Sequence, residues 1–330
     1  MKVTVLGGGN WGTTVASLVA RRHDAMIWAR NSAVVEEINK DHRNSAYLAG
    51  FDLNPKLKAT DDFEQAVRHA ELLIMGVPTG AVRETSANTR KLIRPWIPVV
   101  SLAKGFEQGS LLRMTEVIRE ELPNHPVAAL TGPNIAREVM AGQAAASVVA
   151  TPDLAVARAL QQVLSSGLFR VYSNEDVIGC ELGGALKNVV AIACGMAEGL
   201  GVGDNTRALV MTRGLAELMR LGVAMGGQAT TFAGLAGMGD LIATCLSPAS
   251  RNRSVGEKLG RGMSVAEITG GMTMVAEGLK TAVTTHELAQ RYQQDLPIHE
   301  TIYGVVTGSV DPTEAYRGLG PTPGHENEPG

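Results

Sequence analysis

Residues 2–12 read KVTVLGGGNWG. Lys2–Leu6 is short, apolar and β-branched, as expected of a strand buried in a parallel sheet. Gly7, Gly9 and Gly12 then follow at the spacing G-x-G-x-x-G, and a helical period begins at Thr13. The glycine spacing takes its meaning from this context, at the end of a strand and the start of a helix. Gly7 permits the tight turn, Gly9 lets the backbone approach a pyrophosphate, and Gly12 lets helix and strand pack closely. Amides at the helix N-terminus then face the phosphates. The stretch therefore predicts the opening βα unit of a dinucleotide-binding domain.

The pattern outward from this unit agrees with it. Strand-like segments at 25–29, 72–77, 99–102, 127–130, 147–150 and 169–172 alternate with helical ones at 13–21, 33–39, 81–93, 111–122, 134–141 and 154–164. Repeated βα units with nearly continuous apolar strands predict a parallel sheet covered on both faces. From Val177 onward no period-2 segment appears. Runs of Ala, Leu, Met, Val and Glu are broken by glycine loops at 200–203, 226–228, 234–239 and 270–271. The expected architecture is an α/β Rossmann-type domain over residues 1–174, then an all-helical domain over 175–319. The Pro-, Gly- and Glu-rich tail, 320–330, is expected to be disordered.

Bulk composition excludes several function classes. Among 330 residues, 45% are hydrophobic, 4% aromatic, and the net charge is −3. There is no basic field to recruit nucleic acid or a membrane surface, and few rings on which single strands could stack. Cys180, Cys194 and Cys245 show no metal-ligand spacing, so no metal site is expected and the thiols read as reduced, in a cytoplasmic setting. No uninterrupted apolar run reaches the roughly 20 residues of a membrane span.

Chemistry is expected at the carboxyl ends of the strands. The second strand ends in Trp28-Ala-Arg30, with no acid before Glu36. An acid there would hold a ribose 2′-OH and repel a 2′-phosphate, whereas arginine attracts one. NADP(H) is therefore expected to be accepted, with NAD(H) also admissible; the alternative for Arg30 is a solvated surface residue. Lys104 follows a strand in SLAKG, where it is either a ligand-binding cation or an exposed loop lysine. Gly132 and Asn134 follow another in TGPN. In GGALKNVVAIA, residues 183–193, Lys187 lies in a helix that is otherwise small or apolar all round. It either snorkels to solvent or sits in a pocket as a proton-transfer group, its small neighbours leaving room for a ligand. Gly237-Met-Gly-Asp240 precedes TCLSPASRNRS, residues 244–254. Those hydroxyls and guanidiniums suit a phosphorylated small molecule, or else form a solvated basic turn. Ser250 is placed to cap a helix starting at Arg251.

Taken in order, GGGNWGTTVA, WAR, VSLAKG, LTGPN, ELGGALKNVVAI, GLAGMGDLIATC, SPASRNRSVG and MVAEG resemble the bacterial NAD(P)-dependent glycerol-3-phosphate dehydrogenase family. The resemblance implies hydride transfer between NAD(P)H and dihydroxyacetone phosphate, yielding glycerol 3-phosphate for phospholipid synthesis, in a cytoplasmic homodimer. It implies that Lys187 is the proton acceptor. Lys104, Gly132, Asn134, Asp240, Ser250, Arg251 and Asn252 match substrate-site positions. Asn10, Trp11, Arg30, Lys104, Ala136, Arg251, Val275 and Glu277 match cofactor contacts. Two positions depart from the family pattern: Asn134 stands where Ser or Thr is usual, and Asn10 where Ser is common. An amide still donates and accepts, so the role of Asn134 is kept. Rival readings are a 2-hydroxyacid or 6-phosphogluconate-type dehydrogenase and a catalytically silent dinucleotide sensor. The sensor has no use for Lys187, Asp240 and Arg251 together.

Overall fold

The structure, a computed structural model, describes residues 1–271 and 276–315. Val275 and the tail from residue 320 lie outside the described residues. The chain divides into two compact units, the first ending at Glu181 and the second beginning at Leu182.

The first unit is built on one eight-stranded sheet. Its strands are β1 (Lys2–Leu6), β2 (Asp24–Trp28), β3 (Lys58–Thr60), β4 (Leu72–Met75), β5 (Val99–Ser101), β6 (Val127–Thr131), β7 (Ala145–Ala150) and β8 (Phe169–Asn174). They lie in the order β3-β2-β1-β4-β5-β6-β7-β8. Helices α1 (Asn10–Val19), α2 (Ser32–Asp41), α3 (Ser45–Leu48), α4 (Phe63–His69), α5 (Val82–Arg90), α6 (Met114–Glu121), α7 (Ala136–Met140) and α8 (Leu154–Leu164) connect them. Both sheet faces are buried. Val3, Val5, Leu72, Ile74 and Val100 enter one core layer, while Leu6, Leu73, Met75 and Val99 enter the other.

Two features differ from the sequence expectation. β3 is a strand of only three residues, too short to display a period. The sheet is parallel from β3 to β6, but β7 runs antiparallel to β6. The connection explains this. Its only helix, α7, has five residues, a rise of about 7.5 Å, against about 17 Å for the five-residue strand β6. Such a helix does not carry the chain back to the starting edge, as a parallel crossover requires.

The second unit is helical among its described residues: α9 (Val177–Gly199, begun in the first unit), α10 (Asp204–Ala224), α11 (Ala229–Phe232), α12 (Asp240–Leu246), α13 (Arg251–Gly260), α14 (Val265–Gly270), α15 (Glu277–Tyr292) and α16 (Pro297–Thr307). α9 is the core helix, with Leu182, Leu186, Val189, Val190 and Ile192 all at 0% exposure. It packs on α13 through facing glycines. A Cβ on Gly195 would lie 1.9 Å from the Arg253 carbonyl oxygen, and one on Gly256 would lie 2.0 Å from that of Ile192. Gly199 and Gly260 repeat the contact one turn on. The stretch 234–239, expected as a loop, is a π turn (Leu235–Gly239) that runs directly into α12. The wide turn brings the backbone against Phe232, whose carbonyl oxygen lies 2.1 Å from where a Cβ on Gly237 would be.

By length and composition two stretches, Val177–Gly199 and Ala229–Leu246, could cross a membrane. Glu181 and Lys187 interrupt the first in sequence, yet its mean hydropathy stays high. Its apolar window is 94% buried inside the protein, as in a core helix, and the second passes through the buried Asp240.

Candidate active site

At the β1 end, two glycines are demanded by packing and one is not. Gly7 has φ +125°, and a Cβ there would meet the Gly76 carbonyl oxygen at 2.6 Å. A Cβ on Gly12 would lie 2.2 Å from the Gly7 carbonyl oxygen, so α1 could not rest on the strand. Around Gly9, by contrast, a Cβ would have nothing within 4 Å. Gly9, the N-cap of α1, brings no side chain to cap that helix, and the first turn holds no acid. This open, donor-rich end suits a pyrophosphate. Asn44, 0% exposed and not singled out in the sequence, braces the loop by donating to the Gly8 carbonyl at 2.9 Å. Asn10 accepts from the Trp11 amide at 2.7 Å. Trp11 packs edge-on to Phe169 at 5.8 Å, and its buried Nε1 has no hydrogen-bond partner among the described residues. Arg30 is exposed just beyond β2.

The next strand ends bring together three more of the expected residues. Lys104, just past β5, donates to the Gly132 carbonyl oxygen at 2.9 Å. Gly132 has φ +133°, and a Cβ there would lie 3.0 Å from the Ser147 Cα, so only glycine fits. Asn134 accepts from the Ser147 hydroxyl at 2.6 Å. That leaves Asn134 Nδ2 buried without a partner among the described residues, as is Thr131 Oγ1 nearby in the chain. The amide that departs from the family pattern thus anchors the loop with one atom and retains a buried donor. Ala136 opens α7 and is buried.

In the second unit Lys187 does not snorkel. It is 5% exposed, with Nζ 2.7 Å from Asp240 Oδ1. It also donates to Thr244 Oγ1, which in turn donates to the Asp240 carbonyl oxygen at 2.6 Å. Asp240 is itself 2% exposed and opens α12 from the π turn. The sequence reading counted Thr244 among the hydroxyls of residues 244–254 and missed its place beside Lys187, although i, i+4 spacing from Asp240 puts it on the same helix face.

One small neighbour of Lys187, Gly183, makes room for protein. A Cβ on Gly183 would lie 2.5 Å from the Ala236 carbonyl oxygen. That room is filled by the π-turn backbone, which fixes Asp240 against α9. Ser250 caps α13 as expected, accepting from the Arg253 amide at 3.2 Å. Arg251 is the first residue of that helix. It is accessible to solvent yet crowded by protein, and this desolvation lowers its pKa from the usual value while Glu277 opposes the shift. Asn252, expected near a phosphate, is largely occupied by the fold. It donates to Asn188 Oδ1 at 2.9 Å and accepts from the Gly278 amide at 3.0 Å, joining α9, α13 and α15. Glu277 opens α15.

The strand order β3-β2-β1-β4-β5-β6, with the glycine turn at the end of β1 beside β4, is that of dinucleotide-binding oxidoreductases. Residues 2–157 match the family described as NAD-dependent glycerol-3-phosphate dehydrogenase N-terminus, and residues 176–317 match the corresponding C-terminus. The chain belongs to this family of oxidoreductases. It is 56% identical over 319 residues to an NAD(P)+ glycerol-3-phosphate dehydrogenase of Sphingopyxis alaskensis, covering 97% of this chain and 96% of that protein. A Mycobacterium bovis protein of the same name is 51% identical, covering 98% and 96% respectively. The crystal structure of glycerol-3-phosphate dehydrogenase from Coxiella burnetii superposes with a TM-score of 0.90 at 34% identity, covering 96% of this chain and 98% of that one.

Proposed function

We propose that the chain reversibly reduces dihydroxyacetone phosphate to sn-glycerol 3-phosphate with NADH or NADPH. The bound nicotinamide supplies the hydride for substrate C2. Lys187 gives its proton to the C2 oxygen in reduction and takes it back in oxidation. Asp240 and Thr244 orient the ammonium, so that it keeps one direction for proton transfer. Arg251, helped by the α13 N-terminus, takes the substrate phosphate, and Ser250 holds that end of the helix in shape. Lys104, Gly132 and Asn134 contribute to the substrate site, with the spare Asn134 Nδ2 as donor. The Gly7–Gly12 turn, Asn10, Trp11, Arg30, Lys104, Ala136, Arg251 and Glu277 hold the cofactor, together with Val275. The observation that carries this reading is the buried Lys187–Asp240 pair at 2.7 Å.

NADH or NADPH oxidation followed with dihydroxyacetone phosphate, beside 2-oxoacid controls, tests it. Turnover confined to the triose phosphate is expected; equal turnover with a 2-oxoacid would replace this reading. The same reading includes a homodimer, a cytoplasmic location and supply of glycerol 3-phosphate to phospholipid synthesis. Exposed Leu209, Val223, Ile242 and Leu246 on the helical unit are apolar surface that a second copy could cover. Sedimentation velocity giving a monomer would remove the dimer.

A further inference from the structure

The carboxyl edge of β2 carries Arg30 but no acid of its own. The fold supplies one from the neighbouring strand. The Gly7 amide donates to the Trp28 carbonyl at 3.0 Å, and a Cβ on Gly8 would lie 2.8 Å from Ala29 Cβ, so the glycine turn lies directly against this edge. On its other side β3 pairs with β2, with Thr60 opposite Trp28 and the Ala29 amide donating to the Thr60 carbonyl at 3.1 Å. The next residue, Asp61, is tied to the same edge twice. Its carbonyl accepts from Trp28 Nε1 at 3.1 Å, and its Oδ2 accepts from Ser32 Oγ at 2.5 Å. Asp61 has no part in capping α4, a task taken by Asp62.

We propose that Asp61, held by Ser32, weights the cofactor site towards NAD(H) and against NADP(H), opposing Arg30. The proposal rests on the reading that the glycine turn binds a dinucleotide. An adenosine ribose beyond such a turn sits at the end of the second strand, where an acid favours a free 2′-OH and repels a 2′-phosphate. Asp61 acts there by charge and needs no direct contact. A carboxylate within a Debye length of a doubly charged phosphate in salted water changes its binding by roughly three- to tenfold. Arg30 and Asp61 on one edge leave neither cofactor strongly excluded, which agrees with the NAD(P)+ names of the relatives.

Asp61→Asn removes the charge and keeps an acceptor for Ser32. Calorimetric titration with 2′,5′-ADP and with ADP isolates the 2′-phosphate from the rest of the cofactor. Asp61→Asn is expected to tighten 2′,5′-ADP roughly three- to tenfold, leave ADP within about twofold, and lose most of the difference in 0.5 M salt. Arg30→Gln is expected to move 2′,5′-ADP the opposite way. The kcat/KM ratio for NADPH over NADH should follow the binding ratio. Equal changes for both ligands, or none in a variant whose melting temperature is unchanged, overturn the proposal. Wild-type protein that binds both ligands but turns over no triose phosphate would instead sink the dehydrogenase reading and leave this one standing.

Discussion

Replacing Lys187 by Met separates its pairing with Asp240 from the proton transfer proposed for it. The methionine keeps length and apolar stem but removes the ammonium. Asp240, 2% exposed, is then a buried carboxylate whose cation 2.7 Å away is gone. Breaking a buried pair in this way typically costs about 3–5 kcal/mol. Set against a whole-domain stability of roughly 5–15 kcal/mol, that is a large loss, visible as a marked fall in the urea midpoint by circular dichroism. Thr244 Oγ1 lies 2.6 Å from the Asp240 carbonyl oxygen and 3.4 Å from Asp240 Oδ1, so its one hydroxyl proton is a poor replacement for the ammonium. Loss of a positioned proton donor should also lower kcat by about 10²- to 10⁴-fold. Adding Asp240→Asn to Lys187→Met removes the stranded charge. The double variant should regain most of the lost stability and none of the lost turnover. Three results refute the reasoning: a single variant costing under about 1 kcal/mol, a single variant with wild-type kcat, or a double variant whose turnover returns with its stability. The last would make the lysine a structural partner of Asp240 and nothing more.

Two further outcomes follow from the same unit. Arg251→Ala should raise the KM for dihydroxyacetone phosphate, with a smaller effect on the KM for cofactor; an unchanged substrate KM would move the phosphate elsewhere. Gly195→Ala puts a Cβ 1.9 Å from the Arg253 carbonyl oxygen, so α9 and α13 must part by about 1.5 Å to reach ordinary contact. The helix-propensity gain of about 1 kcal/mol does not offset that, so both melting temperature and kcat should fall. Gly270→Ala, where a Cβ meets nothing within 4 Å, is the matched control and should leave both unchanged or raise stability slightly.

What the sequence revealed depended on whether the signal was local. The opening strand and glycine turn were legible because spacing, strand and helix lie within twenty consecutive residues. For Lys187 the apolar faces of α9 left two readings open, snorkelling or a pocket, and only the fold decides for burial. The direction of β7 was not, because a strand's residues carry no mark of polarity; the length of the intervening helix decides it. β3 offered three residues and no period. The glycines of α9 were visible, but a small residue leaves room without saying for what. At Gly183 the occupant is the π-turn backbone, and at Gly195 and Gly199 it is α13. Asn252 illustrates the same limit. Its amide suited a phosphate chemically, yet the fold spends it on Asn188 and Gly278, partners 64 and 26 positions away.

A second buried ion pair sharpens the assignment of the first. Arg113 and Glu181 approach to 2.6 Å, with side chains 9% and 6% exposed, so burial alone does not distinguish them from Lys187 and Asp240. Their surroundings do. Glu181 also accepts from the Thr115 amide at 2.9 Å and the Thr115 hydroxyl at 2.6 Å, while Arg113 reaches Glu116 at 2.7 Å. Desolvation still pushes the Glu181 carboxyl upward, but each of its oxygens is engaged by protein and the set is closed. Lys187 has three ammonium protons and two partners among the described residues, Asp240 and Thr244. A buried pair seldom stabilises more than apolar residues of the same volume. The Arg113 pair is accounted for by the start of α6, where Glu181 accepts from the Thr115 amide. The Lys187 ammonium caps no helix among the described residues, and under the proposed function its cost is offset by a proton left to donate.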